Sequence, residues 1–405
     1  NEARAGVADD SIVTIAGAGG NCGIGVTASL SANTDGDYRG YLGAQALAGA
    51  VSGSGGKVSI GGALAVIVSR SVTSASIGGN AHIYNGGDLL VSATDKTKLA
   101  LRAGGVSISK GAAVGVGASF ALIYAHNSVN ASIGDSCELY VKSLKLVAEK
   151  QRLDSSDYHS AAGLDRLLTD TSELTAAERE QAKTGLIDIH RETDPATGKK
   201  SDSYKVEVNI TAEKLIGAID LLNFLSSCNY YVEAIAGSIT TGAGSDAKVS
   251  VAGSLAMIFF YNAVRALIGG NVQIHCDGNV EIEAASDATV RIIAGSLSAS
   301  PAKVGVGATV GFLYNEDSVE ARTGANSRVT AGGAFRQSAS GKANIQLFTA
   351  AASISTGSES TASVGGSVNA IAAKNTAVSE IAAGAAIKAA SIDIGSSLAM
   401  DMMLI

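Results

Sequence analysis

The chain has 405 residues and a net charge of −7, with 46% hydrophobic residues but only 4% aromatic ones and no tryptophan. The acidic balance argues against nucleic-acid binding, and no run of 18 or more apolar residues exists from which to build a membrane-spanning helix. Forty-nine glycines against two prolines, with alanine, valine and isoleucine prominent, describe a core of small and β-branched side chains in thin layers rather than two or three ordinary globular domains.

Along the chain one line of text returns six times. It reads GVTASLSANTDGDYRGYLG at 25–43, GGALAVIVSRSVTSASIGG at 61–79 and GVGASFALIYAHNSVNASIGD at 115–135. Further copies follow at 252–270 (AGSLAMIFFYNAVRALIGG), 306–325 (VGATVGFLYNEDSVEARTGA) and 365–384 (GGSVNAIAAKNTAVSEIAAG). Aligned on their last β-branched position, the copies are anchored at Leu42, Ile77, Ile133, Ile268, Thr323 and Ile381, at intervals of 35, 56, 135, 55 and 58. The unit is therefore about 56 residues. Within it, Gly, Asn and Asp break short alternating apolar runs, the mark of strands and turns. The second and third runs read GGNAHIYNGGDLLVSAT at 78–94 and KLALRAGGVSISKGAAVG at 98–115. The short first interval lacks 21 residues, close to one such run. These observations predict an all-β solenoid, a parallel β-helix with about three coils per 56-residue repeat. Roughly 17 coils at ~4.8 Å each would make a rod on the order of 80 Å long.

Six places before the anchor stand Gly36, Ser71, Asn127, Asn262, Asp317 and Asn375. Such residues tolerate tight-turn backbone, and stacked Asn side chains can bond to one another. Asn127, Asn262, Asp317 and Asn375 are accordingly expected to form a turn ladder. Both parities of the first run are apolar. Leu64, Phe120, Leu255 and Val310 occupy one position, and Val66, Leu122, Met257 and Phe312 the next of the same parity. Because one face of a β-helix strand looks outward, this second apolar face needs a cover. Neighbouring loops are one candidate and another rod is the other. Leu64, Phe120, Leu255 and Phe312 mark the candidate self-association stripe.

The long third interval holds text of a different kind, dividing the chain into 1–149 (first part of the β-helix), 150–228 (an inserted, mainly α-helical subdomain) and 229–405 (second part). The insertion is charged and helically spaced from Gln151 through Glu192, with a cap at Ser172 or in the box Thr175–Glu178. TGKKSDSYKVEVNI at 197–210 reads as a turn and a strand. A second helix is expected from Thr211, with Leu215, Ile219 and Leu222 on one face.

No catalytic, cofactor-binding or metal-binding motif stands out. GSGGKV at 53–58 places Val after the Lys and reads as a turn, as does DGD at 35–37. His82, His126 and His275 show no consistent acidic partner, and His159 and His190 fall in the insertion. Cys22, Cys137, Cys228 and Cys276 are widely spaced and expected to be small buried apolar groups. A polysaccharide-active enzyme would need clustered Asp, Arg or Lys beside an aromatic-lined groove, so no enzyme and no cofactor are expected. The chain opens on Asn1 without a signal peptide, as expected of a mature or excised segment.

The pattern G-A-S-x-A-L-I-Y-x-x-N-S-V-x-A-x-I-G at 117–134, with VQIHCDGNVEIEAAS at 272–286, resembles the repeats of leukotoxin-type filamentous adhesins and haemagglutinin-like exoproteins of bacteria. The resemblance covers about 11–149 and 229–397 and not the insertion. It implies a secreted or cell-surface β-helical fibre, a structural and adhesive rod with a host or neighbouring-cell ligand, and no catalytic residues. A subunit of a self-assembling extracellular filament is the alternative.

Overall fold

The computed structural model describes residues 1–15, 23–31, 42–52, 57–110, 114–152, 168–170, 187–193, 200–208, 228–241, 249–300, 304–355 and 362–405. No helix occurs among them. Two compact units are present, one formed by Asn1–Leu153 with Cys228–Ile405, the other by Asp154–Ser227.

The larger unit is a parallel β-helix, as the repeats predict. Its first turn holds β1 (Glu2–Val7), β2 (Ile12–Ile15), β3 (Ile24–Ser31) and β4 (Leu42–Ser52). The second runs β5 (Val58–Ile77), β6 (His82–Asn85), β7 (Asp88–Lys96) and β8 (Leu99–Lys110). The third has β9 (Val114–Ile133), β10 (Glu138–Val141) and β11 (Ser143–Lys150). The inserted unit follows with β12 (Leu168–Asp170), β13 (Ile187–Thr193) and β14 (Lys200–Val208), before β15 (Tyr230–Thr241) completes the turn. Three uninterrupted turns follow: β16 (Val249–Ile268), β17 (Gln273–Cys276) and β18 (Val280–Ser300); β19 (Val304–Thr323), β20 (Arg328–Ala331) and β21 (Ala334–Ser355); β22 (Ala362–Ile381), β23 (Ala386–Lys388) and β24 (Ser391–Leu404).

Pairing corrects the expected number of coils. The first sheet is ordered β1-β5-β9-β16-β19-β22, and its register aligns Val7, Ile77, Ile133, Ile268, Thr323 and Ile381 in neighbouring strands. Residues about 56 apart are therefore direct neighbours, and each 56-residue unit is one turn, not three. The first run is the first side of that turn, the second run covers the second side and the start of the third, and the third run completes the third side. Six turns at ~4.8 Å rise only about 24 Å from first to last strand. The 25–43 copy is also corrected: Leu42 pairs with Leu99 in the third sheet, and the anchor of the first turn is Val7. Sequence spacing reports the repeat but not how often the backbone turns within it.

Long strands give the cross-section two compartments. Toward the end of each first-sheet strand, Ala75, Ile77, Ala131 and Ile133 face the short second sheet (Ile83, Leu139, Ile274) and the start of the third (Leu89, Val91, Leu144, Leu146) in a triangular core. In the 20-residue strands from β5 onward, the earlier half, with Ala121, Ile123 and Ile258, packs directly on the later half of the third sheet, with Leu101, Val232 and Ile292. This second compartment is a two-layer sandwich. At its thin end glycines let the backbones meet: a Cβ on Gly105 would stand 1.9 Å from Ala118 O, and one on Gly117 1.9 Å from Gly237 O.

The left-handed corner residues are not the expected ladder. They are Asp10, Asn80, Ser136, Asn271 and Asn326, with φ of 54°, 52°, 60°, 57° and 58°, joined by Gly384 at 75°. All stand between the first and second sheets. Asn127, Asn262, Asp317 and Asn375 lie inside extended strands and face inward. Their sequence types fit a turn equally well, and only pairing distinguishes the two.

In the inserted unit β12 pairs parallel with β13, and β13 antiparallel with β14. The strand read at 197–210 is present as β14, but Ile187–Thr193, assigned to a helical stretch, is strand. Ile187 and Ile189 alternate at the strand period, a signal obscured by the charged flanks. The helix starts at Ser172 or Thr175 and at Thr211, with Leu215, Ile219 and Leu222, fall outside the described residues, as do Cys22, His159 and the DGD triplet.

Candidate functional site

The principal polar site separates the two apolar compartments, at the point where the chain leaves the β-helix for the insertion. Because register stacks equivalent positions, Ser71, Asn127, Asn262, Asp317 and Asn375 form an inward column across five turns. Asn127 Nδ2 donates to Asn262 Oδ1 at 2.8 Å and contacts the Tyr230 hydroxyl, which also donates to Asn262 Oδ1 at 3.2 Å. The Ser71 hydroxyl stands 2.6 Å from Asn127 Oδ1 and 3.1 Å from Asp95 Oδ2. Further along, Asn315 Nδ2 donates to Asn375 Oδ1 at 2.9 Å.

Facing this column, the third sheet contributes Asp95 and Lys150, cross-strand neighbours in β7 and β11. Lys150 Nζ lies 3.0 Å from Asp95 Oδ1, and both side chains are wholly buried. The same oxygen accepts from the Thr97 amide at 2.7 Å and from its hydroxyl. The ammonium also lies over the Tyr230 ring, 5.8 Å from its centre. Burial lowers the Lys150 pKa, with Asp95 opposing that shift, and pushes the Tyr230 phenol well above its ordinary value. Asp317, also buried, is raised to about 6 by desolvation, against the pull of Lys150.

The two ends of the insertion meet beside this pair. Asn229 Nδ2 donates to Gln151 O at 3.0 Å, and Asn229 Oδ1 accepts from the Thr289 amide at 2.9 Å. Gln151 N donates to Asp95 O at 2.9 Å, and Leu99 N to Asn229 O at 2.8 Å. A segment of over seventy residues thus departs and returns through one hydrogen-bonded neck. Chemically, the site is a lock: its Lys150–Asp95 pair is matched and shut away from solvent. The sequence held one trace of it, opposite charges 55 residues apart at Asp95 and Lys150, on positions that only register brings together.

Other candidate residues are dispersed. His82 does have an acidic neighbour, since its Nδ1 lies 3.1 Å from Glu138 Oε2 in the next turn, which corrects the sequence reading. His275 stacks on Tyr140 at 4.7 Å between ring centres, and Tyr140 on Tyr84 at 5.5 Å, so those ring faces occupy one another. His126 meets Tyr261 edge-on, and His190 lies in β13 opposite Lys205. Cys137 and Cys276 are buried thiols, and Cys228 is buried as well. Of the stripe residues, Leu64, Phe120 and Leu255 share one outward row with Val310, whereas Phe312 lies one row further along with Met257. Comparison with known proteins found no matching family model, no similar curated protein and no similar solved structure.

Proposed function

We propose that this chain is a segment of a secreted or cell-surface β-helical scaffold, structural and adhesive in role, which carries the Asp154–Ser227 unit as a display element for a host or neighbouring-cell ligand. The observation that carries this reading is the continuity of register across the splice. Lys150 pairs with Ser286, and Tyr230 with Val290 and Leu99, so the turn closes as the uninterrupted turns do. In a solenoid each turn contacts only its neighbours, so a branch held at a locked neck need not disturb the stack. The resemblance of the 117–134 text to filamentous adhesin repeats supports the adhesive part, and the closed polar site supports a role without catalysis.

The test compares the chain with a variant lacking 154–227, Leu153 joined to Cys228. Circular dichroism and urea unfolding should show the variant folded and mainly strand. Flow cytometry with labelled protein on bacterial and mammalian cells should show binding by the full chain and its loss in the variant. An unfolded variant would refute the scaffold reading, and a full chain that binds neither cell type would refute the adhesive one.

A further inference from the structure

The outer face of the first sheet divides sharply in two. Its later half carries Ser74, Ser76, Asn130 and Ser132, and an ion-pair ladder in which Arg265 meets Glu320 at 3.6 Å and Arg322 meets Glu320 and Glu380 at 3.0 and 2.9 Å. Its earlier half, over the sandwich, is apolar and ordered in rows by register. One row is Leu64, Phe120, Leu255, Val310 and Val368. The next is Val66, Leu122, Met257, Phe312 and Ala370. The third is Val68, Tyr124, Phe259, Tyr314 and Ala372. The chain has seven Phe and eleven Tyr. Six of these eighteen aromatics stand on this one face if Tyr261 is included, which packs on Tyr124 and Tyr314 at 5.5 Å. Leu64 is 65% exposed and Val68 75%, so the face is open at least in the second turn, where it begins.

We infer that this face pairs with the same face of a second copy of the chain, sheet on sheet, about a two-fold axis parallel to the axis of the β-helix. Such an axis keeps each turn opposite its own equivalent and reverses the order of the rows. The middle row then meets itself, Met257 against Met257 and Phe312 against Phe312. The third row, rich in rings, meets the first, where Leu64, Leu255 and Val310 are smaller. Beyond the third row lies a bulky, partly charged row of Arg70, His126, Tyr261, Glu316 and Lys374. Before the first lies a row of Gly62, Ala118, Gly253, Ala308 and Gly366. The two-fold sets these rows against each other. The small row is open: a Cβ on Gly366 would meet nothing within 4 Å, and one on Gly253 only Ala308 O at 3.9 Å. No charge therefore faces a charge, and each bulky side chain has a shelf.

Size agrees with the geometry. Five rows about 6.7 Å apart and five strands about 4.8 Å apart cover roughly 800 Å², the area each partner contributes to a standard stable interface. Aligned sheets pack about 10 Å apart when both inner faces are apolar, and the same patch on both partners is what a two-fold interface requires. The rows complement themselves about this axis, which is why the occupant is a second copy.

Sedimentation velocity over a concentration series tests the pairing, and it reads self-association alone, independently of the display role. The wild type should show a reversible monomer–dimer equilibrium. Met257→Lys sets two cations against each other across the axis, and Gly253→Trp fills the shelf; each should weaken the dimer at least about tenfold. Ser74→Lys, on the polar half, should leave it unchanged. Circular dichroism checks that each variant is folded. If Met257→Lys unfolds, the Gly253 variant, whose ring enters open space, decides. A wild type that stays monomeric, or association that survives both substitutions as end-to-end joining would, overturns the inference.

Discussion

Replacing Asp317 with asparagine should stabilise the protein at neutral pH and leave its stability unchanged in acid. Asp317 is the one carboxylate in a column otherwise made of Ser71, Asn127, Asn262 and Asn375, and it is 3% exposed, with no hydrogen-bond partner at Oδ1. Desolvation raises its pKa from 3.8 to about 6. The folded state therefore holds this proton more tightly than the unfolded chain. Below about pH 4 both states are protonated and the group has no effect. Between about pH 4 and 6 the unfolded state ionises first, and native stability falls as pH rises; above about 6 the loss is complete. A shift of about two units corresponds to a cost of roughly 3 kcal/mol at pH 7. Asparagine carries no charge to desolvate, so Asp317→Asn should recover up to that amount at pH 7.5 and nothing at pH 3.5. Urea unfolding of both proteins at these two pH values measures the difference directly. An equal effect at both pH values, or a destabilised variant at pH 7.5, would refute the reasoning, because the carboxylate would then be held by favourable contacts that outweigh its burial.

The lock at the splice and the thin end of the sandwich give two more expectations. Lys150→Met should destabilise by about 3–5 kcal/mol, since it leaves the Asp95 carboxylate buried without its cation, whereas Asp95→Asn with Lys150→Met should recover much of the loss; a single variant within about 0.5 kcal/mol of wild type in urea would show that the pair does not hold the neck. Gly105→Ala should cost at least about 1–3 kcal/mol through the collision with Ala118 O, while Gly366→Ala, open to solvent, should be nearly neutral; similar urea midpoints for the two would mean that the sheets separate easily there.

The sequence by itself determined the parallel β-helix, the repeat near 56 residues, the columns at Ile77, Ile133 and Ile268, and the foreign segment between two halves of one pattern. Those features are periodic, and a stacked fold writes its period into the chain. It also showed that the first-sheet strand is apolar on both parities. The tertiary structure alone decided how many sides of the turn fit in one period, because strand length, not spacing, sets that, and a 20-residue strand such as β9 reads like a complete short coil. For the same reason the Asn column looked like a corner when it is a wall between two cores, and the true corner, Asn80 with Asn271 and Asn326, was one more set of turn-forming residues among many. That Asp95 pairs with Lys150, and His82 with Glu138, was decided by register alone. Each pair joins residues some 55 positions apart, and nothing local to either partner records which neighbour the register will supply.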